Sequence, residues 1–202
     1  MRQQTPRPFA LWLISNCIGG AIAGLAEARF SFLGTFVLVG FIIGIAQTIP
    51  LLFIERGAWM WAVITAIAWP IAGYLELGPL SLLSESLVTF LTNSGLLWEL
   101  IWINSVRLFF VLGLVGAAQT LYLSRLFGSN GRNQAGLWIL LSALGGAAIG
   151  ATGTTVCRFA CDAVNGWILT GLMLGISQWL VYGLITGIIF LRANDPPQPH
   201  NS

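Results

Sequence analysis

GFIIGIAQTIP, residues 40–50, is an apolar run interrupted by two glycines and one amide. Gly40, Gly44 and Gln47 stand at i, i+4 and i+7, so on an α-helix they share one face. The element Gly-x-x-Gln recurs as Gly116-Ala117-Ala118-Gln119 and again in GLMLGISQW, residues 171–179, where Gly171, Gly175 and Gln178 keep the same spacing. Each copy follows an upstream apolar segment with its own ruler. Trp12, Ser15, Gly19 and Gly24 correspond to Trp61, Thr65, Ala68 and Gly73, and to Trp138, Ser142, Gly145 and Gly150, with the hydroxyl shifting by one position. The chain therefore reads as three versions of one helical hairpin, residues 9–54, 58–125 and 135–191.

The composition says where such hairpins sit. Hydrophobic residues make up 56% of the 202 and charged residues only 8%, against about 25% charged in soluble domains. Uncharged windows at 8–26, 30–54, 57–75, 108–124, 133–157 and 163–191 approach or exceed the length a helix needs to cross a bilayer. They are far too long for barrel strands. The expectation is an all-α membrane protein with six transmembrane helices in one domain, residues 1–195, followed by a short polar disordered tail, 196–202. An amino-terminal signal peptide ending near Ala26-Glu27-Ala28 is rejected, because a removable segment has no reason to share the Trp-to-Gly ruler of two internal ones.

Arginine placement sets the orientation. With the amino terminus cytoplasmic, that side holds Arg2, Arg7, Arg56, Arg125, Arg132 and Arg192, and the opposite side only Arg29, Arg107 and Arg158. Both termini are predicted to be cytoplasmic. The interval from Gly73 to Gln119 is the longest of its kind, which marks residues 78–103 as an insertion in the second unit. Pro79 can open a helix there, with Ser81, Glu85 and Thr89 on one face and Leu80, Leu83, Leu87 and Leu91 on the other. An amphipathic outer-side helix packed on the bundle by its leucines is expected, ended by a turn at Asn93-Ser94-Gly95.

Catalytic raw material is scarce. There is no lysine, which excludes Schiff-base chemistry and a Walker-type phosphate lysine. The single histidine, His200, lies in the polar tail, so neither a metal site nor a serine–histidine pair is indicated. A net charge of +2 spread over scattered arginines offers no nucleic-acid surface. Cys17 reads as a small packing residue. Cys157 and Cys161 are candidates for a disulfide on the outer side, one that needs a departure from regular α-helix because i, i+4 geometry is poor for it. No cofactor is predicted, and bound lipid or pigment is the kind of ligand left open. The tryptophans Trp12, Trp59, Trp61, Trp98, Trp102, Trp138 and Trp167 fall near predicted helix ends and read as interfacial belts.

Two constellations remain. Gly40, Gly44, Gly116, Gly171 and Gly175 form small-residue packing faces, on which Gln47, Gln119 and Gln178 act as interhelical glue or converge on a ligand. On the outer face stand Glu27, Arg29, Glu76, Glu99, Arg107, Arg158 and Asp162, read as a solvated rim or as a pocket for a small polar or zwitterionic molecule. Arg107 is drawn toward hydrocarbon and is expected to seek a carboxylate, Glu76 or Glu99.

On Trp12, Gly19, Gly20, Gly40, Gly44 and Gln47, and on Trp138, Gly145, Gly146, Gly171, Gly175, Gln178 and Trp179, the chain resembles uncharacterised multi-pass proteins of photosynthetic bacteria in which Trp, Gly-Gly and Gly-x-x-x-Gly-x-x-Gln-Trp recur in successive hairpins. Unit two departs, with Ala68-Trp69 for Gly-Gly and Leu112 for the first glycine. The resemblance implies a repeated-hairpin fold in a bacterial inner membrane, plasma or thylakoid-type, and no activity. The expected role is structural or assembly work in a membrane complex, with lipid, partner subunits or a second copy as partners. The alternative is binding or transport of a small solute through the outer acidic face and the three glutamines.

Overall fold

The computed structural model describes residues 7–30, 32–95, 97–127, 131–164 and 166–192. They form α1 (Arg7–Arg29), α2 (Phe32–Leu52), α3 (Trp59–Leu77), α4 (Ser81–Asn93), α5 (Glu99–Phe127), α6 (Gly131–Val156), a π-helical turn (Cys157–Cys161) and α7 (Trp167–Arg192), with no strand among the described residues. All of these except α4 and the π turn are long and apolar enough to cross a bilayer, giving six candidate spans. The polar tail with His200 lies outside the described residues.

Each long helix packs on two others in the order α1, α2, α3, α5, α6, α7 and back to α1, so the six close into a ring. The shorter α4 lies outside it, against α5 and α3. In lipid, apolar surface gains little by leaving the tails, and helix association depends on close backbone approach. Glycine provides that approach at three seams. On α1 against α7, a Cβ at Gly20 would stand 2.5 Å from the Gly175 carbonyl oxygen, and one at Gly24 would collide with the carbonyl of Gly171. On α2 against α3, Gly44 faces the Ala62 carbonyl, 2.9 Å from a built Cβ, and Gly40 faces Trp69. On α6 against α5, Gly146 and Gly150 run onto the backbone of Leu108 and Asn104.

The seams share a size rule. Gly20 receives Trp179, Gly40 receives Trp69 and Gly146 receives Leu112, so a missing side chain on one helix is filled by a large one on its neighbour. The large partner comes from the later helix of the pair at α2/α3 and α1/α7, and from α5 at α5/α6.

Two expectations need correction. Trp12, Trp61 and Trp138 are not interfacial: each is at most 1% exposed, and all three meet inside the ring. Their ring centroids are 5.9 Å apart for Trp12 and Trp138 and 5.3 Å for Trp61 and Trp138, edge to face. They do lie near helix ends, but the end of a span can point inward as readily as outward. Trp59, Trp98 and Trp167 are exposed, as a belt residue would be.

The second correction concerns α4. Its buried residue is Ser84, while Leu82, Leu83 and Phe90 point away from the bundle. Of the leucines expected on the packed face, Leu80, Leu87 and Leu91 are partly buried and Leu83 is exposed. The helix is rolled so that the Ser84 hydroxyl, which also lies 2.9 Å from the Ser81 carbonyl, reaches the Glu76 carboxylate of α3 at 3.3 Å, and a buried carboxylate oxygen demands a donor more strongly than one leucine demands contact. The turn at Asn93-Ser94-Gly95 is present, with Gly95 at φ +68°. The fifth helix starts at Glu99, well before the apolar window at 108.

Candidate functional site

Inside the ring, at the end where α1, α3 and α6 begin, each of the three tryptophans donates its indole N–H to the helix that precedes it round the ring. Trp61 Nε1 donates to Gln47 Oε1 at 3.1 Å, Trp138 Nε1 to Gln119 Oε1 at 3.0 Å and Trp12 Nε1 to Thr186 Oγ1 at 3.0 Å. The amides pass the sequence on. Gln47 Nε2 donates to Asn16 Oδ1 at 3.1 Å and Gln119 Nε2 to Thr65 Oγ1 at 2.9 Å. Asn16 then donates to the Trp12 carbonyl at 2.8 Å, and Thr186 to the Tyr182 carbonyl at 2.8 Å. Bonds therefore run from α6 to α5, α5 to α3, α3 to α2, α2 to α1 and α1 to α7.

The remaining step, α7 to α6, is made differently. Tyr182, one turn before Thr186 on α7, packs over Gly145 of α6, and no hydrogen bond closes this step among the described residues, where the buried Ser142 hydroxyl is left without a partner. Gln47, Gln119, Ser142 and Thr186 are all 1% exposed or less. Buried donors and acceptors that find each other across helices are worth about 0.6–2 kcal/mol apiece in lipid. The groups involved are indoles, amides and hydroxyls, all neutral near pH 7.

Gln47 and Gln119 thus belong to one network, each satisfied by its own neighbours, and Gln178 does not belong to it. Gln178 lies two turns earlier on α7, against Gly153 of α6, where it lines a cleft of about 460 Å³ with Trp98, Asn104, Thr154 and Arg158. The position facing Trp12 is taken by Thr186. Two members of the network, Asn16 and Thr186, escape a search for Gly-x-x-Gln. Their signals were in the spacing: Asn16 stands four residues after Trp12, as Thr65 does after Trp61 and Ser142 after Trp138. Gly183-x-x-Thr186 likewise matches Gly44-x-x-Gln47 and Gly116-x-x-Gln119, and Gly183, Gly44 and Gly116 abut Asn16, Thr65 and Ser142 respectively.

The opposite end of the bundle holds the charged residues of the expected outer face, while Glu55 and Arg56 lie at the tryptophan end. Glu76, 4% exposed, meets Arg107 Nε at 3.4 Å and Ser84, tying α3, α5 and α4 together. This is the only ion pair among the described residues. The Arg158 guanidinium lies over the Trp98 ring, 4.5 Å from its centroid. Beside it Asn104 Nδ2 donates to Thr154 Oγ1 at 2.8 Å, and Cys157 is bonded to Cys161 across the π turn, with their Cα atoms 4.6 Å apart. Widening the helix to a π turn is the departure from α geometry that this bond needs. Glu27 lines a second cleft, described below, while Arg29, Glu99 and Asp162 are exposed and form no ion pair among the described residues. No three His, Cys, Asp or Glu residues among those described group as metal ligands would.

Because Glu76 is buried and Arg107 half exposed, the two partners are unequal. Arg107→Ala leaves a buried carboxylate without its cation and is expected to destabilise the chain by about 3 kcal/mol. Glu76→Gln retains an acceptor for Ser84 and carries no charge, so it should cost far less. Combining it with Arg107→Ala should restore most of the lost stability in detergent unfolding titrations. Equal damage from the two single changes would contradict this asymmetry.

No protein-family model, curated protein or solved structure matches the chain.

Proposed function

We propose that this is a non-catalytic multi-pass protein of a bacterial inner membrane that serves as a rigid subunit or assembly partner in a membrane complex. The observation that carries the reading is the internal use of the core's polar groups. Trp12, Trp61, Trp138, Gln47, Gln119 and Thr186 are bonded to one another and to their neighbours. They offer neither a nucleophile with an adjacent base nor a free polar surface for a solute to follow. In this reading the chain is three copies of one helical pair, residues 9–54, 58–125 and 135–191, arranged about a pseudo-threefold axis. The second helix of each copy packs on the first helix of the next, and the insertion in the second copy supplies α4. The recurrence of Trp, a polar residue four positions later, and an acceptor on the preceding helix supports it.

The test is native purification of the full chain in mild detergent, followed by mass spectrometry of intact complexes. A defined membrane-protein partner or a fixed multiple of the chain's own mass is expected. A lone chain retaining a small molecule would favour the second reading, a solute-binding protein. That reading draws on the clefts at the charged end, where Gln178, Asn104 and Thr154 accompany Arg158, and no longer on a three-glutamine cluster.

Both termini are placed on the cytoplasmic side in this reading, with α4 outside. Cysteines introduced at Arg56 and Glu85, in a chain carrying Cys17→Ala, should react with a membrane-impermeant maleimide from opposite sides. Labelling of both from one side would refute the topology.

A further inference from the structure

A cleft of about 400 Å³ opens where the charged ends of α1, α2, α3 and α5 meet, lined by Glu27, Phe30, Thr35, Phe36, Val39, Trp69 and Leu108. Its volume falls in the range of small-ligand sites, about 300–1,000 Å³. Its chemistry is one-sided. Glu27 is the single charged residue in the described lining, and among the described residues no hydrogen bond or ion pair engages it, whereas Glu76 has both Arg107 and Ser84. The nearest arginine in sequence, Arg29, forms no ion pair with Glu27 and lines, with Trp167, an adjoining groove that shares Phe30 with this cleft, and Arg158 lies in the neighbouring cleft over Trp98.

Three aromatic side chains, Phe30, Phe36 and Trp69, share the lining with Glu27. The back wall is firm: Trp69 is 5% exposed, wedged against Gly40 and in contact with the Trp179 ring at 5.9 Å. A carboxylate together with aromatic faces attracts cations by charge and by ring quadrupole, most strongly those too weakly hydrated to prefer water. A carboxylate at a membrane boundary ordinarily finds a charged partner, and among the described residues Glu27 has none.

We propose that this cleft binds an organic cation of the alkylammonium class, with its charged head at Glu27 and its apolar substituents against Phe30, Phe36 and Trp69. The same head occurs on a free amine or quaternary ammonium solute and on the headgroup of a choline-type lipid of the outer leaflet. This gives the solute-binding reading a ligand class and a residue, and it stands whether or not the chain also has a protein partner.

The probe is benzyltrimethylammonium, titrated calorimetrically into the full chain in nanodiscs, with benzyl alcohol as the neutral comparison. Wild type should bind the cation. Glu27→Gln should lose about tenfold or more, the scale of one charge-assisted contact, and Phe30→Leu should lose a few-fold, while benzyl alcohol should not distinguish the three. Glu27 and Phe30 are both exposed, and unchanged unfolding of the two variants will establish that the effect is local. Comparing nanodiscs of phosphatidylcholine with phosphatidylglycerol, each against Glu27→Gln in the same lipid, separates the two sources. Weaker probe binding in phosphatidylcholine assigns the site to the lipid headgroup, and equal binding assigns it to a free solute. Failure of wild type to bind the cation, or equal binding by Glu27→Gln, would overturn the proposal. A protein partner found by native purification would leave this result untouched, so the two readings fail separately.

Discussion

Trp138→Ala is expected to destabilise the folded chain by about 3–5 kcal/mol, the cost of emptying a large buried aromatic site. Trp138 is the tryptophan that touches both others, and it also caps Gln119. Removing it opens a void at the centre of the ring, which α6 and its neighbours cannot close without breaking the glycine seams that hold them. Lipid does not refill such a void as water would refill one at a surface. Trp138→Phe separates packing from hydrogen bonding: most of the volume stays, the donor to Gln119 Oε1 goes, and the expected cost falls to about 1–3 kcal/mol. Unfolding of the purified variants in mixed micelles, followed by far-ultraviolet circular dichroism, measures both. Wild-type stability for Trp138→Ala would mean that the tryptophan ring is not what closes the bundle.

Gly24→Val should be at least as damaging, and for the opposite reason. Here α1 and α7 approach so closely that a Cβ on Gly24 meets the Gly171 backbone, and Gly20 and Gly175 repeat the contact one turn away. The neighbour is backbone and cannot rotate aside, so the helices must separate. Overpacking of this kind costs about 1–3 kcal/mol in ordinary cores and more where nothing can yield. The consequence is specific, because α1 and α7 form the seam between the first and last spans. Gly24→Val should allow the two to part while α2/α3 and α5/α6 stay packed. A pair of cysteines introduced across the α1/α7 seam should then lose its cross-linking, and a pair across α5/α6 should keep it. Loss of both together would show that the ring opens as one cooperative unit. Gly136, by contrast, has open space around it, and Gly136→Ala should leave stability unchanged or slightly raised.

How far the sequence could be read depended on whether a feature is local. The spans were legible because hydropathy and length are properties of a single segment, and six apolar helices appear where six uncharged windows stand. Arg107 was rightly expected to seek a carboxylate, since a short apolar window draws it toward hydrocarbon, and it pairs with Glu76. The leucine face of α4 was legible at Leu80, Leu87 and Leu91, but the burial of Ser84 in place of Leu83 was not, because it depends on the Ser84 hydroxyl meeting a carboxylate on another helix. Nor was the inward turn of Trp12, Trp61 and Trp138, since a tryptophan near a helix end has the same sequence signature whether it faces headgroups or a core. The small faces at Gly40/Gly44 and Gly171/Gly175 were visible as spacings, but which helix each would meet was not.

Gln178 illustrates the division most clearly. Its spacing from Gly171 and Gly175 copies that of Gln47 from Gly40 and Gly44, and from sequence the two amides look equivalent. In space the place of Gln47 on α7 belongs to Thr186, which accepts from a tryptophan 174 positions away. The sequence by itself determined the helical character of the chain, its six segments long and apolar enough to cross a bilayer, its glycine faces and its lack of lysine. Only the tertiary structure decided the axial register between helices, and with it which polar groups are consumed in the core and which, like Glu27, are left facing a cleft. Register is set by the sum of many backbone contacts along a seam, so sliding one helix by two turns exchanges Gln178 for Thr186 while leaving every local pattern intact.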